Sequence, residues 1–154
     1  MRGNEKVIQV LNKALKEELT AINQYFVHAE MCENWGYKKL AEYIKKQSID
    51  EMKHAEALVE RILFLEGKPN MAEILPLTIG ENVKAQLEND LALETAAVAS
   101  YNEAMRICGE AGDNGSRELF KKLLQDEEGH ADWLETQLGM IKDIGIENYL
   151  VEQF

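Results

Sequence analysis

Two short stretches carry the residues best suited to chemistry. One reads Asp50-Glu51-Met52-Lys53-His54-Ala55, the other Asp126-Glu127-Glu128-Gly129-His130-Ala131. Each contains a Glu-x-x-His. On a helix, residues three apart lie one turn apart on one face, so a carboxylate oxygen and an imidazole nitrogen can reach the same cation. A single such motif is common by chance. Here each is preceded 33 residues upstream by another glutamate, Glu18 before Glu51 and Glu94 before Glu127. The two halves of the chain therefore superpose with an offset of 76 residues, which also aligns Leu15 with Leu91, Ala21 with Ala97, Tyr25 with Tyr101 and Asp50 with Asp126.

Four helices must position these residues. Apolar residues at steps of three and four run from about Glu5 to Asn34 (Leu11, Leu15, Ile22, Tyr25, Ala29), interrupted only by Glu18. A second stripe from about Lys38 to Glu66 joins Leu40, Ile44, Gln47, Glu51, His54, Leu58 and Leu65. A third, from about Asn82 to Glu110, joins Val83, Leu87, Leu91, Glu94, Ala97 or Val98, Tyr101 and Cys108. The fourth, from about Ser116 to Lys142, joins Phe120, Leu124, Glu127, His130 or Ala131, Leu134, Leu138 and Ile141. Asp113 or Ser116 is its expected N-cap. Gly145 breaks it, and Ile146 to Glu152 fit a short fifth helix.

Turns at Asn34-Trp35-Gly36 and Gly112-Asp113-Asn114-Gly115-Ser116 make helices one and two antiparallel, and likewise three and four. Glu18 and Glu51 are equidistant from the first turn, and Glu94 and Glu127 nearly so from the second. Each glutamate thus faces its Glu-x-x-His about 25 Å from its loop. Between the hairpins, Gly67 to Gly80 holds both prolines and no clear period. Its roughly 50 Å extended reach exceeds the roughly 40 Å of a 27-residue helix. The predicted fold is an all-α four-helix bundle with a long crossover between helices two and three.

Four glutamates and two histidines then meet inside an apolar bundle, with no Lys or Arg in the stripes at that height. Unpaired buried carboxylates cost several kcal/mol each, so cations are the expected partners. Six carboxylate and imidazole ligands without a thiolate disfavour structural zinc. They match the di-iron or di-manganese carboxylate pattern of helical bundles. In that pattern Glu51 and Glu127 bridge two metals. Glu18 with His54 completes one site, and Glu94 with His130 the other. Hard oxygen and imidazole donors suit Fe²⁺ and Fe³⁺.

The composition agrees. A chain of 154 residues is one domain, 1–154. A net charge of −11 argues against nucleic acid as a partner and suits cations. Cys32 and Cys108 form no CxxC pair, which removes a rubrerythrin-like peroxidase with a rubredoxin iron. No apolar run is long enough to span a membrane, and the first residues lack a signal-peptide pattern. The chain is expected in the cytoplasm.

Nearly end to end, the sequence resembles the bacterioferritins, the haem-containing bacterial ferritins. The likeness lies in Glu18, Ala21-Ile22-Asn23-Gln24-Tyr25-Phe26, Asn34-Trp35-Gly36, Ser48 to Ala55, Glu60 to Gly67, Asp90 to Glu94 and Asp126 to His130. It implies a ferritin-like fold and ferroxidase activity at Glu18, Glu51, His54, Glu94, Glu127 and His130. The oxidant would be O₂ or peroxide, and ferric mineral would be stored in a 24-subunit shell built from dimers. It also implies haem b held by Met52 from each of two subunits, and a small ferredoxin as electron donor for iron release. The residues allow the haem role. Met52 points about 100° away from the metal face, on a second stripe with Ile49 and Val59, where an apolar surface would mark a two-fold interface. Tyr25 and Trp133 match aromatics beside the family's di-iron site, though core packing would also explain them. His28 is expected on a helix surface or interface. Lys46 and Leu58 stand where some members have His and Tyr, departures that bear on an inner-wall iron site and the electron route from it, and leave open whether that site survives, but do not touch the di-iron set.

Overall fold

The computed structural model describes residues 1–154. It is all-helical, with α1 (Glu5–Asn34), α2 (Lys38–Phe64), α3 (Val83–Glu110), α4 (Asn114–Ile144) and α5 (Ile146–Val151). The first four pack as two hairpins, α1 on α2 and α3 on α4. The hairpins meet along α1 against α3 and α2 against α4. This is the predicted bundle, with the long crossover and short fifth helix in place.

Side-chain caps set three helix starts. Asn4 accepts from the amides of Lys6 and Val7, Asn82 from Ala85, and Asp113 from Ser116. The Asp113 cap starts α4 at Asn114, two residues before the expected Ser116. α2 stops at Phe64 rather than Glu66. There the Gly67 amide reaches back to the Ile62 carbonyl at 2.9 Å and the Glu66 amide to Leu63 at 3.0 Å, with Glu66 in the left-handed region at φ 60°. That closes the helix as a Schellman-type cap. Arg61, on the last turn of α2, donates to Ser116 Oγ at 2.9 Å and to Asp113 Oδ1 at 2.8 Å, tying this end to the α3–α4 turn. Gly115 makes room for it, since a Cβ there would lie 2.6 Å from the guanidinium.

The apolar core is divided in two. One cluster includes Leu11, Leu15, Leu58, Ile62, Tyr101 and Phe120. The other includes Tyr25, Leu40, Ile44, Leu87, Leu134 and Tyr149. Between them lies a polar layer, the level at which Glu18, Glu51, Glu94 and Glu127 interrupt the stripes. Two helices are rotated slightly from the expected register. In α4 the fully packed residue is Leu123, with Leu124 half-buried. In α3, Asp90 is wholly buried and Leu91 half-buried.

The crossover follows α1, and a ladder of α1 side chains spaced four apart holds it. Asn12 donates to the Lys68 carbonyl at 3.1 Å and accepts from the Asn70 amide at 2.8 Å. Lys16 lies 3.8 Å from Glu73. Thr20 Oγ1 accepts from the Leu75 amide at 2.8 Å, Gln24 Oε1 from Thr78 at 3.0 Å, and His28 Nε2 from Gly80 at 3.0 Å. A strap with no secondary structure of its own thus finds partners for four of its amides. His28 is fully buried, which corrects the surface or interface position expected for it. Its Nδ1 meets Asp90 Oδ1 at 2.9 Å, and Gln24 Nε2 donates to the same oxygen at 3.0 Å.

Candidate metal centre

The bundle brings all six candidate ligands together at mid-height. Glu18 comes from α1, Glu51 and His54 from α2, Glu94 from α3, and Glu127 and His130 from α4. Each glutamate is 1–2% exposed. Their donor atoms form two groups, Glu18, Glu51, His54, Glu127 and Glu51, Glu94, Glu127, His130, each with all atoms within 4.8 Å of one another. Glu51 and Glu127 belong to both. His54 Nδ1 lies 3.1 Å from Glu127, 3.6 Å from Glu18 and 3.6 Å from Glu51. His130 Nδ1 lies 3.0 Å from Glu51, 3.4 Å from Glu94 and 3.7 Å from Glu127.

These approaches are close but lack hydrogen-bond geometry. Every one of the six residues has one buried atom with no hydrogen-bond partner: Glu18 Oε2, Glu51 Oε1, His54 Nδ1, Glu94 Oε2, Glu127 Oε1 and His130 Nδ1. Native interiors rarely leave such atoms alone. Six of them facing one small volume could hold two divalent cations, whose charge the four carboxylates would balance.

The electrostatics of the metal-free site are those of crowded anions. Burial, reinforced by Glu18, drives the Glu51 carboxyl well above the usual range. Burial likewise pushes Glu94 and Glu127 up to about 7, against hydrogen bonds that pull them down. Burial alone would lower His54, but its contacts with Glu127 and Glu18 prevail and raise it to about 11. No lysine or arginine pairs with any of the four glutamates.

The surrounding contacts cross between hairpins. Tyr25 on α1 donates to Glu94 on α3, and Tyr101 on α3 donates to Glu18 on α1. Each fixes one oxygen of an outer carboxylate and leaves the other buried without a hydrogen-bond partner. Tyr25 is where an aromatic was expected. The equal role of Tyr101 was signalled only by its alignment with Tyr25 in the internal repeat. Trp133 stacks on Tyr43, centroids 4.1 Å apart. Gln47, one turn before Glu51, is buried with both amide atoms unpartnered. Met52 lies away from the cluster and is 55% exposed.

Two openings reach the centre. A cavity of about 280 Å³ between α1 and α3, edged by Lys13, Lys16, Glu17, Ser100 and Leu75, ends on Glu18, Glu94 and Glu127. Burial lifts Glu17 to about 7, although Ser100 donates to it at 2.7 Å. A wholly polar cleft between α2 and α4, about 390 Å³, is lined by Asp50, Lys53, His54, Gln125, Asp126, Gly129 and His130.

Residues 8–144 match the family model of the ferritin-like domain. A bacterioferritin from Brucella melitensis biotype 1 is 51% identical over 149 residues, covering 97% of this chain and 92% of the relative. A bacterioferritin from Rhodobacter capsulatus is 48% identical over the same shares. One from Mycobacterium avium is 44% identical, covering 97% of this chain and 94% of the relative. The chain belongs to the bacterioferritin family. Within this bacterioferritin the departures at positions 46 and 58 lie outside the six-residue cluster. Lys46 is exposed near Glu42, Tyr43 and Ile49, and Leu58 is buried among Leu11, Leu15 and Ile62.

Proposed function

We propose that the protein stores iron and is a ferroxidase. Fe²⁺ is its substrate, bound two per chain between the four helices. The supporting observation is the set of six orphaned donor atoms, one from each of Glu18, Glu51, His54, Glu94, Glu127 and His130, arranged as two overlapping groups. Glu51 and Glu127, shared by both groups, bridge. Glu18 with His54, and Glu94 with His130, complete one site each. Two ferrous ions together supply the two electrons that take O₂ to hydrogen peroxide, or peroxide to water, with two protons drawn from solvent. The residues bind the ions against release by charge balance. Tyr25 and Tyr101 hold the outer carboxylates in place, and the ions displace protons from Glu94, Glu127 and His54.

The ferric product would pass to the interior of a hollow shell of 24 chains built from two-fold dimers. Haem b would lie on a two-fold face where Met52 and Ile49 are exposed one turn apart on α2 and Phe26 is exposed on the neighbouring α1. Met52 from each of two chains would ligate it, and two thioethers favour the ferrous state. A small ferredoxin would deliver the electrons for iron release.

Stopped-flow oxidation of Fe²⁺ in air tests the centre. Glu18→Ala and Glu127→Ala should each lose two-per-chain Fe²⁺ binding and the fast phase of oxidation, and full-rate oxidation in both variants would refute the assignment. Met52→Leu should keep that oxidation and lose the haem absorption band.

A further inference from the structure

The internal repeat makes the two halves of the centre equal in ligands but not in what stands behind them. His54 Nε2, on α2, lies 2.9 Å from Asp126 Oδ2, on α4. The repeat-related pair, His130 Nε2 and Asp50 Oδ2, is 3.7 Å apart, beyond hydrogen-bond reach. We propose that Asp126 is a positioning residue: by holding the Nε2–H of His54 it aims the ring's Nδ1 into the centre, so that the Glu18, Glu51, His54, Glu127 half takes the first divalent cation. This rests on the reading of the cluster as a metal centre.

The chemistry of the two ring nitrogens carries the argument. An ionised carboxylate only accepts hydrogen bonds, so the nitrogen facing Asp126 must carry a proton whether the ring is neutral or cationic. The proton free to leave is therefore the one on Nδ1, the nitrogen without a hydrogen-bond partner that faces Glu127, Glu18 and Glu51. A cation entering that half displaces the Nδ1 proton and meets a lone pair already directed at it. At His130 nothing at hydrogen-bond distance fixes Nε2, so either nitrogen can hold the proton and the ring must be ordered on binding. Carboxylates placed behind ligating histidines commonly contribute about 10- to 100-fold in metal affinity. Asp126 is well placed for this without being a ligand. Its carboxylate is on the polar cleft, 62% exposed, so replacing it removes no buried side chain from the fold.

The test uses the whole protein, freed of metal and titrated anaerobically with Co²⁺, whose visible absorption reports coordination without oxidation chemistry. The wild type should fill in two resolved steps, two Co²⁺ per chain. Asp126→Ala should weaken the first step by about tenfold or more. Asp126→Asn keeps an acceptor oxygen and should recover most of it. Asp50→Ala should leave the first step unchanged. Nitrogen-15 NMR of the Zn²⁺-filled protein should show His54 protonated at Nε2. An unaltered first step in Asp126→Ala overturns the proposal. So does equal weakening by Ala and Asn, which would assign the effect to charge rather than orientation. A wild type that binds no Co²⁺ at all would instead defeat the metal-centre reading itself.

Discussion

At the scale of single residues, the buried Glu and His cluster is legible because each member breaks a pattern. Glu18, Glu51, Glu94 and Glu127 stand in stripes that are otherwise apolar, and the repeat doubles the signal. Tyr101 and Asp126 were present in that repeat as matches to Tyr25 and Asp50, but a match does not say which atom donates to which. Such roles depend on sub-ångström placement across hairpins. The sequence pattern puts His28 on a helix surface or interface because its partner Asp90 lies 62 positions away, and nothing local announces it.

The same residues set a pH dependence. Glu94 and Glu127 titrate near 7 in the folded chain and Glu51 above its usual range, all chiefly through burial. Their folded pKa values exceed the unfolded ones, so they bind protons more tightly when folded. Their contribution is full below about pH 4.5 and is lost as pH rises through about 7. His54, raised to about 11 by Glu127 and Glu18, contributes fully below about 6.5 and loses its share toward 11. Both trends have one sign. Metal-free protein should melt at a lower temperature at pH 8 than at pH 5. Co²⁺, which holds the carboxylates ionised and His54 neutral, should raise the melting point more at pH 8 than at pH 5. Thermal unfolding followed by circular dichroism at the two pH values checks this. A metal-induced shift that is larger at pH 5 would contradict it.

At the scale of elements, helix lengths and the strap's existence followed from period and from the Gly67–Pro69 and Pro76 interruptions. The strap's path did not. Asn12, Lys16, Thr20, Gln24 and His28 look in sequence like ordinary polar positions of an amphipathic helix. They become a ladder only once the strap's amides arrive beside them. The last rung is the critical one. His28 takes the Gly80 amide at one nitrogen and contacts Asp90 at the other, all three buried. Gly80 itself has no room for a side chain, since a Cβ would lie 2.3 Å from the Gln86 amide nitrogen. His28→Phe keeps the volume but leaves the Gly80 amide without its acceptor and Asp90 Oδ1 with Gln24 as its one remaining donor. Leaving a buried donor unsatisfied costs about 1–3 kcal/mol. The loss should appear as faster hydrogen exchange at Leu75, Thr78 and Gly80 and a lower melting temperature, with α2 and α4 amides little changed. Unchanged exchange at Gly80 would show that the strap's end is held by something else.

At the scale of the whole molecule, the chain leaves apolar surface that its own fold does not cover. Phe26, Ile49 and Met52 are exposed at 53%, 44% and 55% on the outer sides of α1 and α2. Within one chain this face has no structural role, because the bundle core is complete without it. Exposed apolar area of this kind marks an interface, and a two-fold axis there pairs each residue with a copy of itself. Charge placed on such a face is repelled by its own image, so paired substitutions should act more than additively. Ile49→Glu with Met52→Glu should therefore reduce the proposed 24-chain shell to small species in analytical ultracentrifugation. Neither side chain packs in the bundle core, so helicity should be retained. Fe²⁺ oxidation should persist in those small species, since all six ligands of the centre come from one chain. A double variant that stays fully assembled would remove this face from the interface. A double variant that dissociates and loses Co²⁺ binding as well would mean that the centre, complete in one chain, still needs its neighbour to hold α2 in place.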